Sequence, residues 1–362
     1  MPKIDGLFKM LKENGGSDLH LSPQNPPMIR VSGELTPVMQ QRLSHDQIKG
    51  LVYEIMNEGQ RSKFENTLDL DFAYEVPALE ARFRANIFVG RLGVSAVFRI
   101  IPSEILTVEQ LGLPNTLLKL TNYKKGLILV TGPTGSGKST TLAAMIDYIN
   151  KNRKEHILTV EDPVEFVHQS QKSLINQREV GRHTKSFANA LKASLREDPD
   201  IILVGEMRDL ETIELAITAA ETGHLVFGTL HTNSAAKTID RIINVFPQEQ
   251  QEQIRAMLAE SLKGVIAQQL CRTVDGKRAA ALEIMIVTTA ISNLIREAKT
   301  FQIPSIIQTA KGEGMQLMDQ ALQALLTAKK ISPDEAYRFA ANKSLFQAPD
   351  NKPAAPQQQK RG

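Results

Sequence analysis

The chain has 362 residues, 42% of them apolar and 23% charged, with a formal net charge of +3 and one cysteine, Cys271. That length accommodates two or three domains with a sizeable core. The near-neutral balance, without a Lys/Arg-rich block, argues against a dedicated nucleic-acid binder, and a lone cysteine excludes an intrachain disulfide or a multi-cysteine zinc site.

The first stretch, MPKIDGLFKMLKENGG, carries Ile4, Leu7, Phe8 and Leu11 at helical spacing and predicts a short amphipathic helix ended by Gly15 and Gly16. Lys9, Lys12 and Glu13 interrupt any signal-like apolar core, and no apolar run approaches the roughly eighteen residues that span a membrane. A cytoplasmic address is expected. SDLHLSP and MIRVSGELTPV read as strands, the second folding back at Ser32-Gly33, and HDQIKGLVYEIMNEGQRSKFENT reads as helical. DLDFAYEV, ARFRANIFV and VSAVFRII alternate as strands do, around a Gly90–Gly93 turn. Residues 1–118 therefore form a small α+β domain, closed by a linker punctuated by Pro102, Gly112 and Pro114.

From Gly126 the rhythm becomes strand–helix–strand. Apolar runs at 127–130, 157–160, 201–204 and 225–230 alternate with helical patterns, which predicts an α/β core with a mostly parallel sheet covered on both faces over 119–285. Beyond Phe246 the chain is expected to be largely helical. In EQQEQIRAMLAESLKGVIAQQL the residues Ile254, Met257, Leu258, Leu262, Val265 and Ile266 fall on one helical stripe. Helices near 290–298, 303–309, 315–329 and 333–343 make residues 286–345 a C-terminal helical region. The Pro- and Gln-rich end, 346–362, reads as a disordered tail.

The strongest chemical signal is GPTGSGKST, in which Gly132, Pro133, Thr134, Gly135, Ser136, Gly137, Lys138, Ser139 and Thr140 match the phosphate-loop pattern between an apolar strand and an amphipathic helix. Glycines let backbone N–H groups wrap phosphates, and the helix N-terminus adds positive potential. Lys138 is placed to reach the β- and γ-phosphates of ATP, and Ser139 to offer its hydroxyl to Mg²⁺. In DPDIILVGEMRD an apolar strand ends at Gly205-Glu206 and delivers a carboxylate to the same sheet edge, where such an acid holds Mg²⁺ or its water shell. ILTVEDPVEFVH adds Glu161, Asp162 and Glu165 past another strand. Any of the three can orient or deprotonate an attacking water, and spacing does not choose among them.

With these elements in order, the chain closely resembles the secretion-type ATPases of type IV pilus and type II secretion systems. GPTGSGKSTTLAAMIDYIN resembles the family's Walker A, ILTVEDPVEFVH its Asp box, LREDPDIILVGEMRDLETI its Walker B and TAAETGHLVFGTLHTNSAAKTIDRIINVFP its His box. GGSDLHLS, PPMIRVSG and ARFRANIF extend the resemblance towards the N-terminus. It implies a homo-hexameric ring in which each chain pairs a PAS-like domain with a RecA-like core. It also implies Glu165 as general base, Glu206 as Walker B acid, and phosphate-reaching arginines for which Arg82, Arg84 and Arg99 are the candidates. The implied activity is ATP hydrolysis powering pilus retraction and twitching, at the inner face of the cytoplasmic membrane, against an inner-membrane platform protein and beside a second retraction ATPase. No four-cysteine zinc motif is present, which favours the retraction type. Retraction motors share a stretch reading AIRNLIRE, whereas this chain reads AISNLIRE with Ser292 in place of the arginine; an accessory retraction ATPase or another secretion-system ATPase is the alternative. Helicases share the RecA-like ring, but a basic stripe and stacking aromatics are missing.

Two histidines bracket the run LVFGTL. His224 and His231 lie seven positions apart on an extended stretch, roughly 23 Å at strand rise, with side chains on opposite faces, so they do not share a metal. His231, at the carboxyl end, is placed to sense the γ-phosphate, as the resemblance to the His box implies. His224, at the amino end, reads as a structural histidine or a residue of a subunit contact, and is the weaker nucleotide-binding candidate of the two.

Overall fold

The computed structural model describes residues 2–31, 33–101 and 104–346. The expected turn at Ser32, the linker proline Pro102 and the tail beyond Phe346 lie outside the described residues. The chain divides into two compact units, residues 1–105 with 163–167, and residues 106–162 with 168–362.

The first unit is built from α1 (Asp5–Glu13), β1 (Asp18–Leu21), β2 (Met28–Val31), β3 (Glu34–Pro37), α2 (His45–Tyr53), α3 (Glu58–Thr67), β4 (Asp69–Val76), β5 (Ala81–Gly90) and β6 (Gly93–Ile101). Its strands form one antiparallel sheet in the order β3-β2-β1-β6-β5-β4. The amphipathic face of α1 is buried, and Phe8 stacks on Phe83 at 4.1 Å between ring centroids and meets Phe98 edge-on at 5.0 Å. The expected single helix over 45–67 is two helices. Asn57 starts the second with a reciprocal capping box to Gln60, as Ser44 does for the first with Gln47. A side chain that satisfies orphan N–H groups competes with helix continuation at that position.

The second unit contains α4 (Thr116–Leu120), β7 (Gly126–Thr131), α5 (Lys138–Asn152), β8 (His156–Glu161), β9 (Leu174–Glu179), α6 (Phe187–Ser194), β10 (Ile201–Val204), α7 (Leu210–Glu221), β11 (Leu225–Leu230), α8 (Ala235–Asn244), α9 (Gln251–Ser261), β12 (Leu262–Arg272), β13 (Arg278–Ile286), α10 (Thr289–Arg296), α11 (Ile303–Thr309), α12 (Met318–Thr327) and α13 (Pro333–Phe339). Its sheet runs β13-β12-β7-β11-β10-β8-β9, parallel throughout except for the β12–β13 pair. Alternate residues of the central strands feed separate cores on the two faces. Leu127, Leu129, Ile202 and Val226 join α7, α8 and α9, while Ile128, Val130, Ile201 and Phe227 join α5. Every residue of β7, β10 and β11 is buried, as the continuous apolar runs require.

Two expectations need correction here. Residues 262–272 are not the continuation of a helix but strand β12, paired parallel to β7 and antiparallel to β13. The helical stripe is real only through Ile254 and Leu258 of α9. Leu262, Val265 and Ile266 belong to a strand buried on both faces, whose apolar run has no periodicity of its own to distinguish it from a buried helix. Pairing with β7 and β13 on either side decides, and the fit there is tight: a Cβ on Gly264 would lie 3.0 Å from Leu120 and 3.2 Å from the Met285 carbonyl, so a larger residue would push its neighbours aside. The chain beyond Phe246 is thus not mainly helical until α10. The second omission is β9. LINQRE has no apolar run because it is the last strand of the sheet and only partly covered.

Candidate nucleotide site

Strand β7 ends at Thr131 in the middle of the sheet and hands the chain to the loop 132–137, which enters α5 at Lys138. The loop's glycines answer to two different demands. Gly132 (φ +144°) and Gly137 (φ +87°) hold positive dihedrals and are also crowded. A Cβ at 132 would lie 2.3 Å from the Gln268 carbonyl oxygen, and one at 137 would lie 2.8 Å from Gln268 Nε2. Gly135 (φ +78°) faces open space, so only its dihedral calls for glycine. Pro133, Thr134 and Gly135 are exposed at the tip, Ser136 is buried, and Thr140 is half-buried in the first turn beside the exposed Ser139. Lys138 Nζ donates to the carbonyls of Gly132 (2.8 Å) and Pro133 (3.1 Å), so the ammonium lies against the loop it would serve. The fifteen-residue α5 thus begins with no side-chain cap at Gly137 and with a cation nearby, features that suit an anion.

Two neighbouring strands bring a second polar group to the same edge. Glu206, two residues past β10, accepts from His231 Nε2 at 2.8 Å, His231 being the first residue past β11. Arg208 holds the same carboxylate from the other side, Nη2 to Oε2 at 2.6 Å and Nε to Oε1 at 2.5 Å. Burial by itself would raise the Glu206 carboxyl; the hydrogen bond and charge of Arg208, with His231, outweigh it and hold Glu206 below the ordinary carboxylate range. Thr229 Oγ1 donates to the Gly205 carbonyl, and Met207 N donates to the Thr229 carbonyl at 3.0 Å, tying the Glu206 turn to β11.

The three acids of the 161–165 stretch separate in the structure. Glu161 accepts from Thr159 Oγ1 at 2.7 Å and Gln177 Nε2 at 3.2 Å. Asp162 is exposed, and its charge helps to raise the Arg208 guanidinium. Glu165 is half-buried within residues 163–167, which group with the first unit. The three arginines also belong to that unit. Arg82 and Arg84 occupy alternate positions on β5, on the face opposite buried Phe83, and Arg84 sits opposite Arg99 of β6 in register. Arg99 Nε pairs with the buried Asp18 at 2.8 Å, and Arg84 Nε approaches Asp71 at 3.9 Å.

His224 precedes β11 at the sheet's amino edge, a full strand away from His231. Its Nδ1 meets the Ala219 carbonyl at 3.0 Å, at the C-terminal end of α7. The second unit therefore gathers Lys138, Ser139, Glu206 and His231 at the carboxyl ends of β7, β10 and β11, and leaves His224 at the other end.

Sequence reading overlooked two residues. Arg208 stood in plain view two positions beyond Glu206; the available signal was a cation beside an acid at a strand end. Gln268 is 3% exposed and uses both ends of its amide here, one on the loop at Ser136 and one on α5 at Thr141. Its signal was the polar pair Gln268-Gln269 inside an apolar run.

Comparison with known proteins sets this geometry in context. The family model described as type II/IV secretion system protein matches residues 2–336. A Pseudomonas aeruginosa protein described as the type IV pilus retraction ATPase PilT is 56% identical over 333 residues, covering 92% of this chain and 96% of the relative. The P. aeruginosa type IV pilus ATPase PilU is 41% identical over 339 residues, covering 93% and 88%. Among solved structures, the pilus retraction motor PilT with bound ADP aligns with a TM-score of 0.89 at 48% identity, covering 95% of this chain and 98% of that one.

Proposed function

The chain belongs to the type II/IV secretion system protein family, and on that premise we propose that it is the ATP-hydrolysing motor of type IV pilus retraction, the engine of twitching motility. It has a RecA-like α/β core and a helical C-terminal segment. The observation that carries the reading is the phosphate loop at the carboxyl end of β7, flanked on neighbouring strand ends by the Glu206–His231 pair.

In this mechanism the backbone N–H groups of Gly135, Gly137, Lys138 and Ser139 and the Lys138 ammonium neutralise the triphosphate. Ser139 and Glu206 offer oxygen donors, which suit Mg²⁺ as a hard cation. Among the described residues no group of three or more His, Cys, Asp or Glu side chains is arranged to hold a metal. Such an ion would therefore take its other ligands from water and phosphate. Glu165 serves as base for the attacking water, His231 reports the γ-phosphate to the Glu206 turn, and Arg82, Arg84 and Arg99 supply guanidinium charge. His224 serves a contact between subunits.

We take residues 1–118 as a PAS-like domain, 119–285 as the ATPase core and 286–345 as the helical region. The working unit is a homo-hexamer at the inner face of the cytoplasmic membrane, acting on an inner-membrane platform protein and beside a second retraction ATPase. No helix among the described residues is long and apolar enough to cross a membrane, which suits a peripheral motor.

The accessory reading draws on one observation: Ser292 stands where retraction motors carry arginine, and its Oγ donates to the Ala259 carbonyl at 2.8 Å, joining α10 to α9. Deleting the protein and imaging pili tests the proposal. Excess surface pili without movement is the expected outcome, and absent pili would assign it to assembly instead.

A further inference from the structure

We infer that Gln268, a residue of strand β12 far from the phosphate-loop motif in sequence, is the positioning residue that sets the orientation of the Ser136–Gly137 peptide and so aims the Gly137 N–H at phosphate. The inference rests on the reading of residues 132–140 as the nucleotide site.

β12 is the direct neighbour of β7, with Ala267 in register with Thr131 at the strand's end. The next residue, Gln268, therefore lies beside the loop as it leaves the sheet. Its side chain is buried and spent entirely on that loop and the helix behind it. Nε2 donates to the Ser136 carbonyl at 2.6 Å, and Oε1 accepts from Thr141 Oγ1 at 2.8 Å.

The two bonds have different jobs. A side-chain amide can be flipped, presenting oxygen where nitrogen stood. The Thr141 hydroxyl donates to Oε1, and that bond turns the NH₂ group towards Ser136. A trans peptide is planar, with its C=O and N–H pointing in opposite directions. Holding the Ser136 carbonyl towards β12 therefore turns the Gly137 N–H away from β12, towards the open side of the loop.

Such a prop is needed because of the residue it acts on. Gly137 sits at φ +87°, and glycine tolerates both signs of φ, so the peptide before it is free to rotate unless something holds it. The same proximity explains the motif's own glycines. Gln268 approaches so closely, through its carbonyl at Gly132 and its amide at Gly137, that a Cβ at either position would collide with it. The loop and β12 are therefore complementary parts of one site.

The test uses the full chain with MgADP and MgATP as probes, comparing wild type with Gln268→Met, Thr141→Val and the double variant. Methionine keeps the length of the side chain and removes the donor. Gln268→Met is expected to raise the Kd for MgADP and the KM for MgATP about tenfold while kcat falls less than about threefold, the pattern of lost phosphate binding rather than lost chemistry. Thr141→Val, which removes only the amide's orienting partner, should raise both about threefold, and the double variant should be no worse than Gln268→Met, because the two act as one unit. Wild-type Kd and KM in Gln268→Met, or strictly additive effects, would overturn the inference. Should Gln268→Met not fold, Thr141→Val decides alone, and unchanged affinity there overturns it. A wild-type chain that binds no MgADP would instead sink the nucleotide-site reading itself.

Discussion

The two edges of the parallel sheet use their polar side chains in opposite ways. At the amino edge they close off the backbone. His156 places Nδ1 against the Asp198 carbonyl and Nε2 against Asn176 Oδ1, both at 2.9 Å, and its backbone N–H donates to Asp200 Oδ2 at 2.8 Å. His224 likewise meets a helix-end carbonyl. At the carboxyl edge the polar groups meet one another: His231 and Arg208 share Glu206, and Lys138 rests on the mouth of its own loop. The cause is the direction of the chain. Helices end before strands begin at the amino edge, leaving carbonyls that need donors. Helices begin after strands end at the carboxyl edge, leaving N–H groups that attract anions. Within the chain, a histidine at one edge ties down backbone carbonyls, and a histidine at the other meets an acid beside the phosphate loop.

That contrast can be broken most forcefully at Lys138. Lys138→Ala should reduce MgATP hydrolysis by about 10³-fold or more, since it removes a preorganised charge from the developing phosphate charge; turnover at the wild-type rate would overturn the site. Next come the partners at the strand ends. Glu206→Gln and His231→Ala should each lower kcat by about 10–100-fold with cooperative unfolding retained, measured by steady-state turnover alongside thermal melts.

A fourth histidine sharpens the comparison because it serves neither edge's purpose. His168 is buried, its Nδ1 has no hydrogen-bond partner among the described residues, and burial holds its imidazole down at about 4, against an ordinary 6.5. As pH falls from 6.5, the unfolded chain takes up a proton that the folded ring refuses until about 4. The unfolded state then binds more protons, so stability is lost across that window and levels off below it. Urea midpoints for wild type should fall between these pH values, and His168→Gln should flatten the curve. At the amino edge, His156→Ala should cost about 1 kcal/mol of stability without altering the KM for MgATP, read from denaturant melts and kinetics. The smallest effect belongs to Cys271. Burial pushes its thiol up to about 12, so alkylation by iodoacetamide at mild pH should track unfolding alone.

How far the sequence carried these conclusions varied with the kind of pattern. The phosphate loop was legible because its chemistry is local: glycines, a lysine and a hydroxyl must be adjacent to wrap one anion. The strands β7, β8, β10 and β11 were legible because burial on both faces writes an unbroken apolar run. β12 was not, because its apolar residues followed directly on α9 and the helical stripe continued through them by coincidence of spacing. β9 was not, because an edge strand carries little apolar signal. Spacing left Glu161, Asp162 and Glu165 equivalent; hydrogen bonds from Thr159 and Gln177 single out Glu161 as already engaged.

The sequence by itself determined the class of the site, the order of its motifs and the edge of the sheet on which they would meet, since each follows from contiguous residues and from the rule that parallel strands present ligands at their carboxyl ends. Only the tertiary structure decided which distant residues complete it. Gln268 reaches the loop because β12 lies beside β7, and Glu206 meets His231 because β10 and β11 are neighbours in register. Strand order is set by packing over the whole sheet, and no short stretch of chain encodes it.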